Sequence, residues 1–235
     1  MAGVKKITIH IIVVCLVCIL LLGGCSRLKV DGAGRVAGEI ESTPVEAERA
    51  ELLREIDRKF DNPDAHFRLG QLYQADGMWA QAENEYKTAL NLEPVHRGAQ
   101  AARVKVLMDG GDLAKAELLA DIYMEQVSSS AVGALRLALA FQRQGLDEYA
   151  LSCYRQALNL APNSAKINRQ IGYYYLSKND MAQARSYLSR SFQLNPNQPE
   201  VAGELGRLGV SIRIPRKARE DADKLDRIVE QSDEK

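Results

Sequence analysis

The 235-residue sequence is poor in the residues that chemistry usually needs. Three histidines and four cysteines leave no material for a metal cluster or a disulfide framework. Aromatic residues make up only 6%, with a single tryptophan. Thirty-one basic residues stand against thirty-one acidic ones, so no broad positive surface exists to attract nucleic acid. No phosphate-cradling loop is present, because Gly32, Gly34 and Gly38 precede a capped helix with no strand before them. Ser128-Ser129-Ser130 reads as a loop without the His and Asp that would activate a nucleophile. His66 and His96 fall in no spacing with cysteines or acids that suggests ligation. The expectation is therefore no catalysis, no cofactor, no metal, no small-molecule substrate and no nucleic acid. The 46% hydrophobic share is ordinary for a globular chain and excludes wholesale disorder, so composition points to packing.

What is present begins with an address. Lys5 and Lys6 precede an apolar run from Ile7 to Leu22 that is broken only by Thr8 and His10. This is the charge-then-apolar order of a secretory signal, and it is short against the roughly 20 residues of a spanning helix. The run ends in Leu22-Gly23-Gly24-Cys25, which resembles a bacterial lipobox: a branched apolar residue, two small residues, then a cysteine. That resemblance implies cleavage before Cys25, lipidation of its thiol and acylation of the new amine. Several acyl chains anchor stably at about 0.8 kcal/mol per buried CH₂. The alternative is an uncleaved signal anchor with an incidental cysteine. Ser26 stands where an Asp would favour inner-membrane retention, so the resemblance leans to the outer membrane, with the body facing the periplasm. Cleavage removes Cys15 and Cys18, and with Cys25 lipidated Cys153 is the sole remaining thiol. It lies in an apolar helical pattern with no nearby His or Lys, which favours burial over reactivity.

A 34-residue repeat governs the middle of the chain. Sliding the sequence by that period aligns Ala82, Ala116, Ala150 and Ala184. Tyr86, Ala120, Tyr154 and Leu188 align next, then Ala89, Tyr123, Ala157 and Ser191. Gly77, Gly111, Gly145 and Asn179 fall on a turn, where a left-handed backbone costs these residues least. Pro94, Pro162 and Pro196 end a helix in three of the copies. Each copy reads as a helical hairpin in which Gly70, Ala82 and Ala89 permit close approach while Tyr73 and Tyr86 fill the space between hairpins. The pattern resembles the tetratricopeptide repeat: in the first copy it runs His66, Leu69-Gly70, Tyr73, Ala82, Tyr86, Pro94, with only the opening aromatic replaced. The third runs Leu137-Ala138, Phe141, Ala150, Tyr154, Pro162, and the fourth Ile171-Gly172, Tyr175, Ala184, Leu188, Pro196. The second is degenerate, with Arg103-Val104 in place of Leu-Gly and Ser128 in place of the proline.

The resemblance implies an all-α fold, a right-handed superhelical solenoid of about four helical hairpins with capping helices. The expected organisation is a leader at 1–24, a flexible tether at 25–42, a capping helix within 43–62 and repeats at 63–96, 97–130, 131–164 and 165–198. A C-terminal capping helix at 199–208 and a charged tail or helix at 209–235 follow. Thr43-Pro44-Val45-Glu46 is a capping box that opens a helix carrying Leu52, Leu53, Ile56 and Phe60, expected over 44–60 to cover the first repeat. Pro199–Leu208 imitates the first helix of a fifth repeat, with Leu205-Gly206 matching Leu69-Gly70. Residues 216–231 carry a thin apolar stripe of Ala218, Ala222, Leu225 and Val229, either folded back on the stack or projecting to a partner.

By the family's geometry the first helices line a concave face that takes an extended peptide or a partner helix. The lining implied here is Phe67, Gln71 and Met108, then Val132, Leu135 and Leu139, then Lys166, Arg169, Tyr173 and Leu176, with an apolar strip and a basic rim in the third and fourth repeats. The alternative is that Leu135, Leu139 and Tyr173 pack on each other or on the C-terminal helix. The lysine and asparagine set of a carboxylate clamp is missing, since Gln71 stands where its first asparagine belongs. The expected role is a non-catalytic, lipid-anchored adaptor that recruits a protein partner to an envelope machine, with a lean to pilus or secretion assembly. The alternatives are a self-associating structural lipoprotein, or a regulator of peptidoglycan or polysaccharide-export enzymes.

Overall fold

The structure is a computed structural model that describes residues 43–212. The expected leader, Cys25, the expected tether up to residue 42 and the charged segment from residue 213 onward lie outside the described residues. Among the described residues the chain forms ten α-helices and no strand. They are α1 (Pro44–Arg58), α2 (Pro63–Ala75), α3 (Trp79–Leu92), α4 (Arg97–Asp109) and α5 (Leu113–Glu125). The rest are α6 (Ala131–Arg143), α7 (Asp147–Leu160), α8 (Ala165–Ser177), α9 (Met181–Leu194) and α10 (Pro199–Arg207).

The helices from α2 to α9 pair as hairpins whose first members begin at Pro63, Arg97, Ala131 and Ala165, in step with the sequence period. Each of these starts is capped at the same register. Asn62 Oδ1, His96 Nδ1, Ser130 Oγ and Ser164 Oγ accept from the amides of Ala65, Ala99, Gly133 and Ile167 at 3.0–3.3 Å. A side-chain N-cap is worth about 1 kcal/mol, so the period is written into the helix starts as well as the core. The turn inside each hairpin needs one left-handed residue, supplied by Gly77, Gly111, Gly145 and Asn179 at φ 72, 88, 70 and 60°.

Packing inside each hairpin is a matter of opposing volumes. A Cβ added to Gly70 would lie 2.6 Å from the buried Tyr86 ring, and one on Gly172 would lie 2.6 Å from Leu188. Tyr86 thus fills its own hairpin as well as the step to the next, where it joins a cluster with Ala102 and Val106 of α4. The second copy inverts the arrangement. Val104 occupies the register of Gly70 and Ala120 that of Tyr86, so the larger side chain has moved to the other helix. Both residues are fully buried in the central core, which runs from Ala101 to Tyr174. The weak sequence match of this copy is an exchange of volumes, and its hairpin keeps the register of the others.

His66, at the position of the opening aromatic, is buried with its ring edge-on to Phe60 at 4.9 Å. It is also tied by its ring nitrogens to Glu85 Oε2 at 2.7 Å and the Phe60 carbonyl at 3.0 Å. At the same register Gln100 and Asn168 are buried and donate from their amides to the carbonyls of Pro94 and Pro162 at 2.8 and 3.3 Å.

The N-terminal cap is thinner than its spacing suggests, while the helix expected over 199–208 forms as Pro199–Arg207. Helix α1 stops at Arg58, and only Leu52 is buried, against Ala65 and Leu69, with Ile56 beside it. Leu53 is exposed, and Phe60 lies past the helix end with 63% of its surface exposed, touching the first repeat through its edge contact with His66. At the other end Val201 and Leu205 of α10 seat on Leu188. Gly206 meets nothing within 4 Å, so the Leu-Gly pair there makes no close approach of the Gly70 kind.

Candidate functional site

The first helices of the hairpins carry the expected groove residues, and burial sorts them sharply. Leu135 is 4% exposed in the central core, which corrects its assignment to an open groove: its side chain is consumed by packing. Phe67 is half-buried, its ring 5.8 Å from Tyr86 and 4.7 Å from His96, and Met108 packs on the central core. Tyr173 and Leu176 pack on the cluster of Leu188, Val201 and Leu205, so α10 takes up the strip expected in the fourth repeat. Arg169 is half-buried there and donates to Gln198 Oε1 at 3.4 Å, while Gln198 donates to the carbonyls of Ser191 and Asn195. Gln71 and Lys166 are exposed and do not line the concavity formed by the first three hairpins.

Of the ten expected lining residues, Val132 and Leu139 do line a concavity, one of about 730 Å³ that spans the first three hairpins. Val132 is 59% exposed and Leu139 half-buried. Beside them stand three arginines absent from the sequence-based set: Arg97 at the start of α4, and Arg136 and Arg143 on α6. Two carboxylates, Asp64 and Glu93, come from the first hairpin. Asp64 accepts from His96 Nε2 at 3.1 Å, while His96 Nδ1 caps α4.

Arg97 is half-buried and donates from Nη1 to Gln100 Oε1 at 2.7 Å. Burial and the neighbouring charge of Arg136 hold its guanidinium below the ordinary arginine value. Among the described residues none of the three arginines forms an ion pair. Their convergence was partly legible: Arg136, Leu139, Ala140 and Arg143 follow helical spacing and share one face. The approach of Arg97 was not, because it depends on α4 lying against α6.

Among the described residues no three His, Cys, Asp or Glu side chains are placed to hold a metal ion. Cys153 is fully buried and burial pushes its thiol up to about 12, which leaves negligible thiolate at neutral pH. Among the described residues no helix is long and apolar enough to cross a membrane.

Family models of the tetratricopeptide repeat match residues 63–94, 133–164 and 165–198. The type IV pilus assembly protein PilF of Pseudomonas aeruginosa is 27% identical over 154 residues, covering 62% of this chain and 58% of its own length. Human protein O-mannosyl-transferase TMTC1 is 25% identical over 145 residues, 59% of this chain and 16% of that protein. The chain thus spans little over half of the first relative and a small part of the second. The solved structure of Pseudomonas aeruginosa pilF aligns over 68% of each chain at 26% identity, with a TM-score of 0.36.

Proposed function

We propose that this chain, a tetratricopeptide-repeat protein, is a non-catalytic adaptor that holds a segment of a partner protein in the concavity of its first three hairpins. The observation that carries the reading is the strip of exposed Val132 and half-buried Leu139 beside three arginines that form no ion pair among the described residues. An apolar centre with a charged rim is what a protein-binding surface needs, because the centre drives association and the rim sets selectivity. The body is tethered by a lipidated Cys25 to the outer membrane and faces the periplasm, on the strength of the Leu22–Cys25 motif and Ser26. The likeness to a pilus assembly protein supports a place in pilus or secretion assembly.

Two experiments test this. The full-length protein extracted from membranes captures its partner, and Val132→Glu/Leu139→Glu loses it while keeping its circular dichroism. Equal capture by both sinks the groove reading. Cys25→Ser abolishes palmitate labelling and frees the protein from the membrane fraction, whereas retention in the membrane contradicts lipid anchoring.

Self-association is the second reading, favoured by Leu118 and Ile122, exposed one turn apart on α5. A mass that rises with protein concentration supports it, and a mass that stays monomeric to high concentration removes it.

A further inference from the structure

We propose that the occupant of the concavity is an extended acidic segment, with two carboxylates seated on Arg136 and Arg143 and an apolar side chain between them against Leu139. This rests on the groove reading above and specifies the chemistry of what binds there.

The argument begins on α6. Val132, Arg136, Leu139, Ala140 and Arg143 all line the concavity, so one face of a single helix presents apolar and cationic groups in alternation. Arg136 and Arg143 are two helical turns apart, about 10.5 Å at 1.5 Å per residue. In an extended polyproline-type segment, residues three apart return to the same side after about 9 Å. A segment with acids at every third position therefore comes close to the arginine spacing, and an intervening residue, turned about 120° from the acids, can reach Leu139 only from the flank of the arginine row.

Arg97 adds a third cation. It is set in place by Gln100, itself fully buried and bonded to the Pro94 carbonyl and Gln126. Four other cations of the first two hairpins meet carboxylates: Arg68 meets Glu48, Arg103 and Lys115 meet Glu83, and Lys105 meets Asp109, whereas the exposed Lys87 forms no ion pair among the described residues. The three concavity arginines also form no ion pair among the described residues, and two of them act on each other as like charges at the concavity wall. Planar guanidinium groups suit carboxylates because both can bond in pairs. The acids Asp64 and Glu93, at the first hairpin, set a polarity that keeps the carboxylates of the segment towards α6.

The test uses the full-length protein in detergent and a fluorescein-labelled peptide, Gly-Ser-Asp-Leu-Pro-Asp-Ser-Gly, followed by anisotropy at low salt. Saturable binding is expected, weakened about tenfold or more by Asn in place of both Asp, or by Arg136→Glu/Arg143→Glu in the protein. Both arginines are exposed, so the reversed variant keeps its fold, which circular dichroism verifies. The decisive arm is the charge swap: the reversed variant should bind the peptide carrying Lys at both Asp positions and reject the original. No binding of the acidic peptide, equal binding of the Asn peptide or unchanged binding by the reversed variant overturns the proposal. So does displacement by oligothymidylate as effective as that by unlabelled peptide, because nucleic acid has no use for the Leu139 strip. If the reversed variant still captures the cellular partner that Val132→Glu/Leu139→Glu loses, the acidic chemistry is wrong and the groove stands. If neither variant changes capture, the groove reading itself falls.

Discussion

The Tyr154 hydroxyl is carried into the core by a ring that is 1% exposed, and it donates to Gln142 Oε1 at 2.5 Å. Tyr86 does the same with Gln74 at 2.6 Å. Both glutamines occupy a register that family geometry assigns to the groove, yet each is an acceptor for a tyrosine of its own hairpin. At the same registers of the other two hairpins stand Met108 with Ala120 and Leu176 with Leu188, so the polar pair is replaced as a pair. Gln142→Leu leaves a buried hydroxyl without an acceptor and should cost about 1–3 kcal/mol in urea unfolding. Adding Tyr154→Phe should recover part of that loss, and strictly additive costs would show that the bond contributes nothing. The alternation of pairs was present in the sequence, but aligned columns show kinds of residue, not which side chain answers which. Leu135 was misread for a related reason: its register faces the groove in the family, whereas here neighbouring helices close over it.

At the scale of elements, the register of the hairpins was readable because its causes are local. A left-handed turn residue, a capping side chain and a small residue at a close approach each act within a few positions. What local pattern could not give was the sense of the second hairpin, whose Val104 looked like decay. Exchanging volumes back tests the account: Val104→Gly should destabilise through a cavity and a helix-interior glycine, by about 2 kcal/mol or more. Ala120→Tyr alone overfills the core, at about 1–3 kcal/mol. The double variant should be more stable than either single one. If it is the least stable of the three, the exchange of volumes is not what shaped this hairpin.

The second hairpin is also stitched to the first by charge. Glu83 of α3 meets Lys115 Nζ of α5 at 2.7 Å and Arg103 Nη2 of α4 at 3.2 Å. Burial pushes the Glu83 carboxyl up, but the hydrogen bonds and charges of Lys115 and Arg103 outweigh it and hold it below the usual 4.5. A carboxyl lowered on folding binds protons more readily in the unfolded chain, so its contribution is complete above about 4.5 and is lost as pH falls through the lowered value. Glu83→Gln should therefore destabilise the protein at pH 7 and converge with the wild type in acid below that range. An identical difference at pH 7 and pH 2 would contradict the assignment.

In the whole molecule, a stack of hairpins owes its stability to neighbour contacts, and those contacts decide which part of its inner face stays open. The C-terminal helix α10 takes the strip of the fourth hairpin, with Tyr173 and Leu176 packed on its cluster. The open surface therefore lies towards the first three hairpins, where three arginines that form no ion pair among the described residues line the same concavity as Val132 and Leu139. Sequence alone placed two of those residues and missed the cations, because their meeting depends on α4 lying along α6. The account stands most directly on where a partner touches this surface. A photo-crosslinking side chain placed in the full-length protein in cells, at Val132 or Leu139 and at exposed Lys87 of α3 as control, measures that. Adducts from positions 132 and 139 but not from 87 are predicted, and adducts from 87 alone, or from all three alike, would contradict the account.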